Sequence, residues 1–418
     1  METVRSHVQK FGRSGGVTEG EGISTSEQIN SRDFSWPFWP IVPIYPYGKR
    51  RTIRKEIVKD TIWTFDQLQG IFYVIVPIRM TVIKLEPEGL LVYAPVAPTP
   101  ECIRLVNELV AEHGEVKYIL LTTISGIEHK VFVGPFARCF PSAQVFVAPQ
   151  HWSFPLNLPL SWLGFPTKRT FVLSPDSNET PFADQFDLAI LGPIDLRLGW
   201  FAEVALFHRR SRTLMVTDSV VSISDHPPAI VQFDSYPLLF HAKDSASDVV
   251  ADTQENRRKG WQRIALFAMY FRPSVLEVRS WMSVLDNGFK APERSKKAYF
   301  GLFPFQWKPG WKRSFEALRG GGRLFVAPIL QTLILNRQPQ ETLDWANRVA
   351  SWDFERIIPC HFDGAIATNP REFRQAFSFL EKHSDVTLLP EADFKLLRDI
   401  DAGLNKIGIV PPAKDKVP

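Results

Sequence analysis

The sequence predicts an α/β protein in which short strands and helices surround a large core. Three observations support this prediction. Short runs of β-branched and aromatic residues recur along the chain, helix-start signals separate several of them, and hydrophobic residues make up 44% of the 418 residues against 22% charged. This composition is ordinary for a globular protein and excludes a wholly disordered chain.

The N-terminal part differs in character from the rest. Residues 1–33 are rich in Gly, Ser, Thr and Glu without hydrophobic periodicity, and we expect them to be disordered. Residues 34–60 alternate aromatic residues with prolines and end in a cationic cluster. Because proline fixes φ and removes a hydrogen-bond donor, this segment is predicted to be an extended arm. The arm either wraps over the domain or contacts an anionic membrane surface.

The main domain is predicted for residues 61–390, with an insertion at about 225–325 and a C-terminal tail at 391–418. An antiparallel meander opens it, and Thr99 is expected to cap a helix that runs to Glu112. Further strands, each a short apolar run, are predicted at 72–76, 80–85, 90–94, 117–121, 144–148, 186–191, 203–207, 213–216 and 354–358. Further helices are predicted at 253–271, 339–351 and from Asn369 to about 382.

Charge, cysteine content and hydropathy argue against several classes of protein. The 49 basic and 45 acidic side chains give a net charge of 49 − 45 = +4, which does not indicate nucleic-acid binding. The three cysteines are widely spaced, which excludes a disulfide scaffold and fits a reducing compartment. No run approaches the roughly 18 apolar residues of a membrane-spanning helix, and no secretory signal is visible. We therefore expect a soluble, intracellular protein.

The candidate functional residues follow predicted strands. Glu128 and His129 follow the strand ending at 121, Asp218 follows the strand 213–216, and His361 follows the strand 354–358. Ligand-binding groups collect beyond strand ends in α/β sheets, because the sheet holds the loops in place. Two imidazoles and two carboxylates suit one divalent ion, namely Zn, Fe or Mn. Each residue alone is more often a helix cap or a satisfied buried group.

In order and context these residues resemble the metallo-β-lactamase superfamily. Its first motif, Thr-His-x-His-x-Asp-His, corresponds to residues 123–129 (TISGIEH), its Gly-Asp strand end to 217–218 (TD), and its closing Pro-Gly-His-Gly loop to 359–364 (PCHFDG). The resemblance covers about residues 65–385. It implies an αββα sandwich and a metal-dependent hydrolase activity. The pattern is also similar to an uncharacterised branch of that superfamily, the domain of unknown function 4336, which is common in photosynthetic organisms and implies a cyanobacterial cytoplasmic or chloroplast-related setting.

The departures from the superfamily pattern define the expected site. Ile124 and Gly126 stand where the first motif has histidines, and Gly199 is the nearest equivalent of the third-motif histidine. The resemblance therefore implies that the first metal site is lost as a unit. The four residues Glu128, His129, Asp218 and His361 match the second site, which predicts a mononuclear centre with no catalytic residue identified.

Three further residues are possible accessory groups, and a second function stays open. Asp225 and His226 follow Asp218 closely, and His151 follows the strand 144–148. The first hypothesis is a metal-dependent hydrolase of an unknown ester-class substrate. The alternative is a non-catalytic binding or assembly factor of the same fold, with peripheral membrane contact. A cleft plugged by Ile124 would favour the alternative.

Overall fold

The computed structural model describes residues 30–40, 44–124, 129–150, 159–383 and 389–418. Within these residues the strands are β1 Ile53–Val58, β2 Ile62–Ile71, β3 Val74–Lys84, β4 Leu90–Tyr93, β5 Val116–Leu121, β6 Gln144–Val147, β7 Thr170–Val172, β8 Phe186–Asp195, β9 Trp200–His208, β10 Thr213–Val216, β11 Leu276–Val278, β12 Phe305–Trp307, β13 Arg356–Pro359 and β14 Ile366–Ala367.

The α-helices of the same residues lie between and after these strands. They are α1 Pro100–His113, α2 Lys130–Cys139, α3 Tyr236–Ala242, α4 Gln254–Tyr270, α5 Trp281–Phe289, α6 Trp311–Arg319, α7 Pro328–Leu333, α8 Pro339–Val349, α9 Pro370–Gln375 and α10 Lys395–Lys406. No helix of the described residues is long and apolar enough to cross a membrane.

Two sheets form the centre of the fold. The first has seven strands in the order β1 to β7, antiparallel from β1 to β4 and parallel from β4 to β7. The second has the order β14-β13-β10-β9-β8, with β10 and β13 parallel. The β11–β12 hairpin forms a small separate sheet.

Three apolar clusters show that these sheets are stacked between helices. One cluster joins residues of both sheets, including Leu91, Leu120, Val204 and Met215. A second packs α1 and α2 on the outer face of the first sheet, and a third packs α8 and α9 on the second sheet. The predicted αββα sandwich is confirmed, because the two sheets pack face to face and each carries a helix layer on its outer side.

Local sequence signals explain several element boundaries. Thr99, Thr253 and Asn369 cap α1, α4 and α9, and the side chain of each accepts a backbone N–H from the first turn. The predicted strand at 213–216 coincides with β10. The helix expected to run from Asn369 to about 382 is shorter than predicted: α9 ends at Gln375, and a 3-10 turn follows at Ser378–Leu380.

The meander differs in detail from its prediction. Two strands were expected at 72–76 and 80–85, but β3 runs unbroken from Val74 to Lys84 and pairs with β2, which was not predicted. Pro77 does not interrupt β3, since it pairs opposite Leu68. Phe72 and Tyr73 form the turn between β2 and β3.

The N-terminal arm and the C-terminal segment pack on the domain. Trp36 is buried and lies edge-on to Phe132 of α2, with ring centroids 5.3 Å apart. Residues 53–58 form the edge strand β1. In the C-terminal segment, α10 buries Leu397, and its Asp401 pairs with the buried Arg337. Residues 1–29, which include most of the segment expected to be disordered, lie outside the described residues.

Candidate metal centre

Two loop segments cross between the sheets beside the candidate site. After β5 the chain crosses to the second sheet, where Thr123 bridges Glu203 of β9 and the Ile124 amide donates to the Ala202 carbonyl at 3.2 Å. After β13 the chain crosses the other way, and His361 bridges Ile78 of β3. The two crossings fix the loops of both sheets against each other and so hold the candidate residues on a rigid frame.

Parallel pairing brings Asp218 and His361 together. Val216 of β10 lies opposite Pro359 of β13, so the residues two positions further on leave the sheet side by side. Nε2 of His361 lies 3.2 Å from Oδ1 of Asp218, and both side chains are partly buried. The Thr123 hydroxyl donates to the other carboxylate oxygen, Oδ2, at 3.3 Å. Burial is the largest single influence on the pKa of Asp218 and raises it, but His361, His129 and the Thr123 hydroxyl together outweigh burial and lower this pKa below its usual value.

His129 lies near this pair. It precedes α2 with a left-handed φ of 56°, a conformation that costs a non-glycine residue roughly 1 kcal/mol. Its ring is fully buried, and its centroid lies 6.2 Å from that of His361. Burial, followed by the charge of His361, lowers the pKa of His129 to about 4, so the ring is neutral at pH 7.

The two imidazoles share one hydrogen-bond arrangement. Nδ1 of His129 lies 2.9 Å from the Pro95 carbonyl oxygen, and Nδ1 of His361 lies 3.1 Å from the Pro77 carbonyl oxygen. A carbonyl only accepts, so each Nδ1 carries a proton and each Nε2 points away from its anchor; Nε2 of His361 is the atom that contacts Asp218. Metal-binding histidines commonly have one ring nitrogen anchored in this way. Buried Nε2 of His129 has no hydrogen-bond partner among the described residues.

The donor types are ones that a divalent ion accepts, but the described residues do not by themselves form a metal-binding group. Two imidazole nitrogens and a carboxylate are ligands that Zn, Fe and Mn accept. Across the described ranges, no group of three or more His, Cys, Asp or Glu side chains is arranged to hold a metal ion. Glu128, the fourth predicted ligand, lies outside the described residues, as do its neighbours from Ser125 onward. The complete four-ligand set stays a prediction.

Apolar packing surrounds Ile124, which stands where the superfamily motif has a histidine. Ile124 is fully buried in the cluster between the sheets, together with Ala202, Met215 and Cys360. Burial also raises the pKa of the Cys360 thiol well above its usual range. The described residues around Ile124 therefore form core rather than a second set of ligands.

A buried carboxylate that the sequence analysis missed supports the Asp218 turn. Glu203 of β9 accepts the Thr217 and Asp218 amides at 2.8 and 3.0 Å and the Ser219 hydroxyl at 2.8 Å. Burial, and then the charge of Asp218, raises the pKa of Glu203 to about 7 despite these three donors. The available sequence signal was a single acidic residue inside an otherwise apolar strand.

A buried ion pair, also missed, holds the His361 loop. Arg79 of β3 pairs with Asp66 of β2 at 2.6 Å, and both side chains are 4% exposed. The same guanidinium donates to the Pro359 carbonyl at 2.7 Å and to the Phe362 carbonyl at 3.0 Å. Arg79 thus binds the backbone on both sides of His361. The signal was again charge within strands, Asp66 and Arg79, that are otherwise largely apolar.

The predicted accessory residues form a separate group. Asp225 pairs with Arg258 of α4 at 2.5 Å and accepts Gln262 Nε2 at 2.7 Å, while the side chain of His226 is 70% exposed. Both line a cavity of about 640 Å³ together with Arg79 and Asp363. Asp225 is thus engaged by α4. His151 lies outside the described residues.

Comparison with solved structures finds distant similarity. The chain aligns with the metallo-β-lactamase DIM-1 at 13% identity and a TM-score of 0.31, covering 42% of this chain and 73% of that one. A metallo-β-lactamase from Pontibacter korlensis aligns at 13% identity and a TM-score of 0.30, covering 42% of this chain and 74% of that one. The Flv1 flavodiiron core from Synechocystis sp. PCC6803 aligns at 10% identity and a TM-score of 0.41, covering 88% of this chain and 72% of that one.

The family comparison is more extensive. No curated protein matches the chain. The model of a domain of unknown function, DUF4336, matches residues 59–379, which are more than three quarters of the chain and include every candidate ligand. The chain therefore belongs to the DUF4336 family.

Proposed function

We propose that this protein binds one divalent ion, Zn, Fe or Mn, through Nε2 of His129, Nε2 of His361 and the carboxylate of Asp218, with Glu128 as the fourth ligand. The observation that carries the proposal is the shared anchoring of the two imidazoles, whose Nδ1 atoms both face a backbone carbonyl. This anchoring fixes the tautomer in which Nε2 is the coordinating atom.

The surrounding residues hold the ligands in place before any ion binds. The low pKa of His129 keeps its lone pair available at neutral pH, and Glu203 holds the backbone of the turn that carries Asp218. Arg79 holds the loop that carries His361. Such preorganisation reduces the ordering cost of binding.

The activity that we propose is hydrolysis of an ester-class substrate, that is an ester, thioester or phosphoester. A divalent ion in such a site polarises a carbonyl or phosphoryl oxygen and lowers the pKa of water. The protein's own part is to keep that site rigid and partly shielded from solvent. The substrate, and a cytoplasmic or chloroplast location, remain predictions.

Metal content tests the proposal directly. We expect elemental mass spectrometry of protein purified without chelators or tags to find about one ion per chain. Asp218→Ala, His361→Ala and Glu128→Gln should each reduce that content severalfold. His226→Ala removes an exposed imidazole and His151→Ala the remaining accessory candidate, so both should retain it. Equal metal content in all variants, or none in the native protein after growth with Zn, Fe and Mn, would refute the ligand set.

A second function is favoured by the packing of Ile124. An apolar side chain fills the position of a superfamily ligand, which suits a non-catalytic binding or assembly factor that retains the sandwich. A metal-loaded protein that hydrolyses none of a panel of esters, thioesters and phosphoesters would support this second function. Turnover that disappears in Asp218→Ala but persists in His226→Ala would exclude it.

A further inference from the structure

Helix α5 presents apolar side chains to solvent. Trp281, Met282, Leu285 and Phe289 are 74, 82, 47 and 74% exposed. They recur at helical spacing and therefore lie on one side of the helix. Val284 and Gly288, on the adjoining side of the helix, are buried and attach it to the protein. An exposed row of large apolar residues is unusual in a folded domain and marks an interaction surface.

Two neighbouring segments enlarge this surface. Gly288 of α5 packs against Gly301, which follows the exposed Phe300. The turn between β2 and β3 lies against the same segment, since Phe72 is 6.0 Å from Tyr299 between ring centroids. We call this surface the apolar face; its residues are Ile71, Phe72, Trp281, Met282, Leu285, Phe289 and Phe300.

Backbone conformation shows that two of these aromatic residues are kept at a cost. Phe72 and Phe300 have φ values of 50° and 57°, in the left-handed region that glycine or asparagine normally occupies. Phe72 and Tyr73 fill a two-residue hairpin turn with positive φ at both positions, where Asn-Gly is typical. Exposed phenylalanines in this conformation gain little from burial within the fold. Contact with an apolar partner would bury these side chains and offset the cost of their backbone conformation.

The charge next to the apolar face indicates the nature of that partner. Residues 279–300 contain five basic and two acidic residues, so their net charge of 5 − 2 = +3 accounts for most of the chain's +4. Arg294, Lys296 and Lys297 are exposed. Lys290 pairs with Asp286 at 2.7 Å and Lys297 lies 3.8 Å from Asp234, so of the three exposed residues Arg294 and Lys296 are those for which no ion pair is seen among the described residues. A surface that combines tryptophan and phenylalanine with lysine and arginine is typical of segments that bind a lipid surface.

We propose that the apolar face docks this protein on an anionic lipid bilayer. The aromatic and aliphatic side chains of α5, Phe72 and Phe300 enter the headgroup boundary, and the basic residues of 290–297 contact acidic headgroups. This contact is peripheral. It does not depend on the proposed metal centre, so the two proposals stand or fall separately.

Vesicle flotation with the full chain tests the proposal. We expect binding to vesicles of phosphatidylcholine with 30% phosphatidylglycerol, weaker binding to phosphatidylcholine alone, and a decrease with added salt. The double variant Trp281→Ser/Phe289→Ser should lower partitioning at least tenfold. Lys296→Gln/Lys297→Gln should lower it severalfold and reduce its salt dependence. Trp162→Ser is the matched control, because Trp162 is also 74% exposed but lies in a different segment, and it should bind like the native chain.

Three results would overturn the proposal. The first is no binding to anionic vesicles at low salt. The second is an equal loss of binding in the Trp162 and Trp281/Phe289 variants. The third is a dimer in sedimentation analysis that the Trp281/Phe289 variant dissociates while vesicle binding is absent, since that would assign the apolar face to a second copy of the chain. Unfolding midpoints within a few degrees of the native chain would show that the exposed substitutions leave the fold intact.

Discussion

Replacing Arg79 by methionine removes the cation that links β2, β3 and the His361 loop. Asp66, the partner of Arg79, is 4% exposed, and its one other ion-pair partner among the described residues is Lys55, whose Nζ lies 3.8 Å from Oδ2. Leaving one member of a buried ion pair alone costs about 3–5 kcal/mol. The Pro359 and Phe362 carbonyls also lose their donor, which adds about 1–3 kcal/mol. Because Lys55 can approach Asp66, we expect a total near 4 kcal/mol.

A double-mutant cycle separates the ion pair from the loop contacts. Asp66→Leu/Arg79→Met removes both charges and leaves only the two carbonyls without their donor, so we expect a loss of about 2 kcal/mol. Urea unfolding of the native chain, both single variants and the double variant measures these free energies. Hydrogen exchange of residues 359–364 should speed up in Arg79→Met. A double variant as unstable as the sum of the single variants would refute the coupling, and unchanged exchange would refute the role in holding the loop.

Three further predictions concern other parts of the molecule. In Gly260→Ala the new Cβ would lie 1.9 Å from the Leu238 carbonyl oxygen, so thermal unfolding should show a loss of about 3 kcal/mol, whereas Gly403→Ala, with open space around it, should be neutral or stabilising. Burial lowers the pKa of both His208 and His241 to about 4 in the folded chain, whereas in the unfolded chain each imidazole has a pKa of about 6.5. The unfolded chain therefore binds these protons first, and the free energy of unfolding should fall as the pH drops from 7 toward 4, by about 2 kcal/mol per histidine at pH 5. His241→Gln should make the unfolding midpoint depend less on pH over this range. Glu203→Gln places an amide donor against the donors of the Asp218 turn and should cost about 1–3 kcal/mol in urea unfolding, and an unchanged midpoint would contradict that role.

Local signals in the sequence located many elements and the order of the candidate ligands. Caps such as Thr99 and Asn369 act within one turn of helix, so neighbouring residues suffice to recognise them. The strand at 213–216 is apolar and ends at a polar residue, which again is local information. The sandwich itself was predicted by resemblance of three motifs in the right order.

The partners of the charged residues inside the sheets depended on the tertiary structure. Nothing near Arg79 in sequence indicates that it binds the backbone at 359 and 362, about 280 residues away. Likewise Glu203 supports a turn on the next strand, and the anchors of His129 and His361 are carbonyls on other segments. A charged residue in a strand could equally have faced solvent, because the residues next to it in sequence do not indicate which groups of other segments pack against it.

The sequence by itself determined the types of element, their order and the chemistry of the candidate ligands, because these depend on side-chain type and on neighbours along the chain. Only the tertiary structure decided that His361 pairs with Asp218 near the buried ring of His129, that Ile124 fills the space between the sheets, and that α5 leaves its apolar side in water. Each of these depends on contacts between segments far apart in sequence, which form only when the two sheets and the insertion pack together.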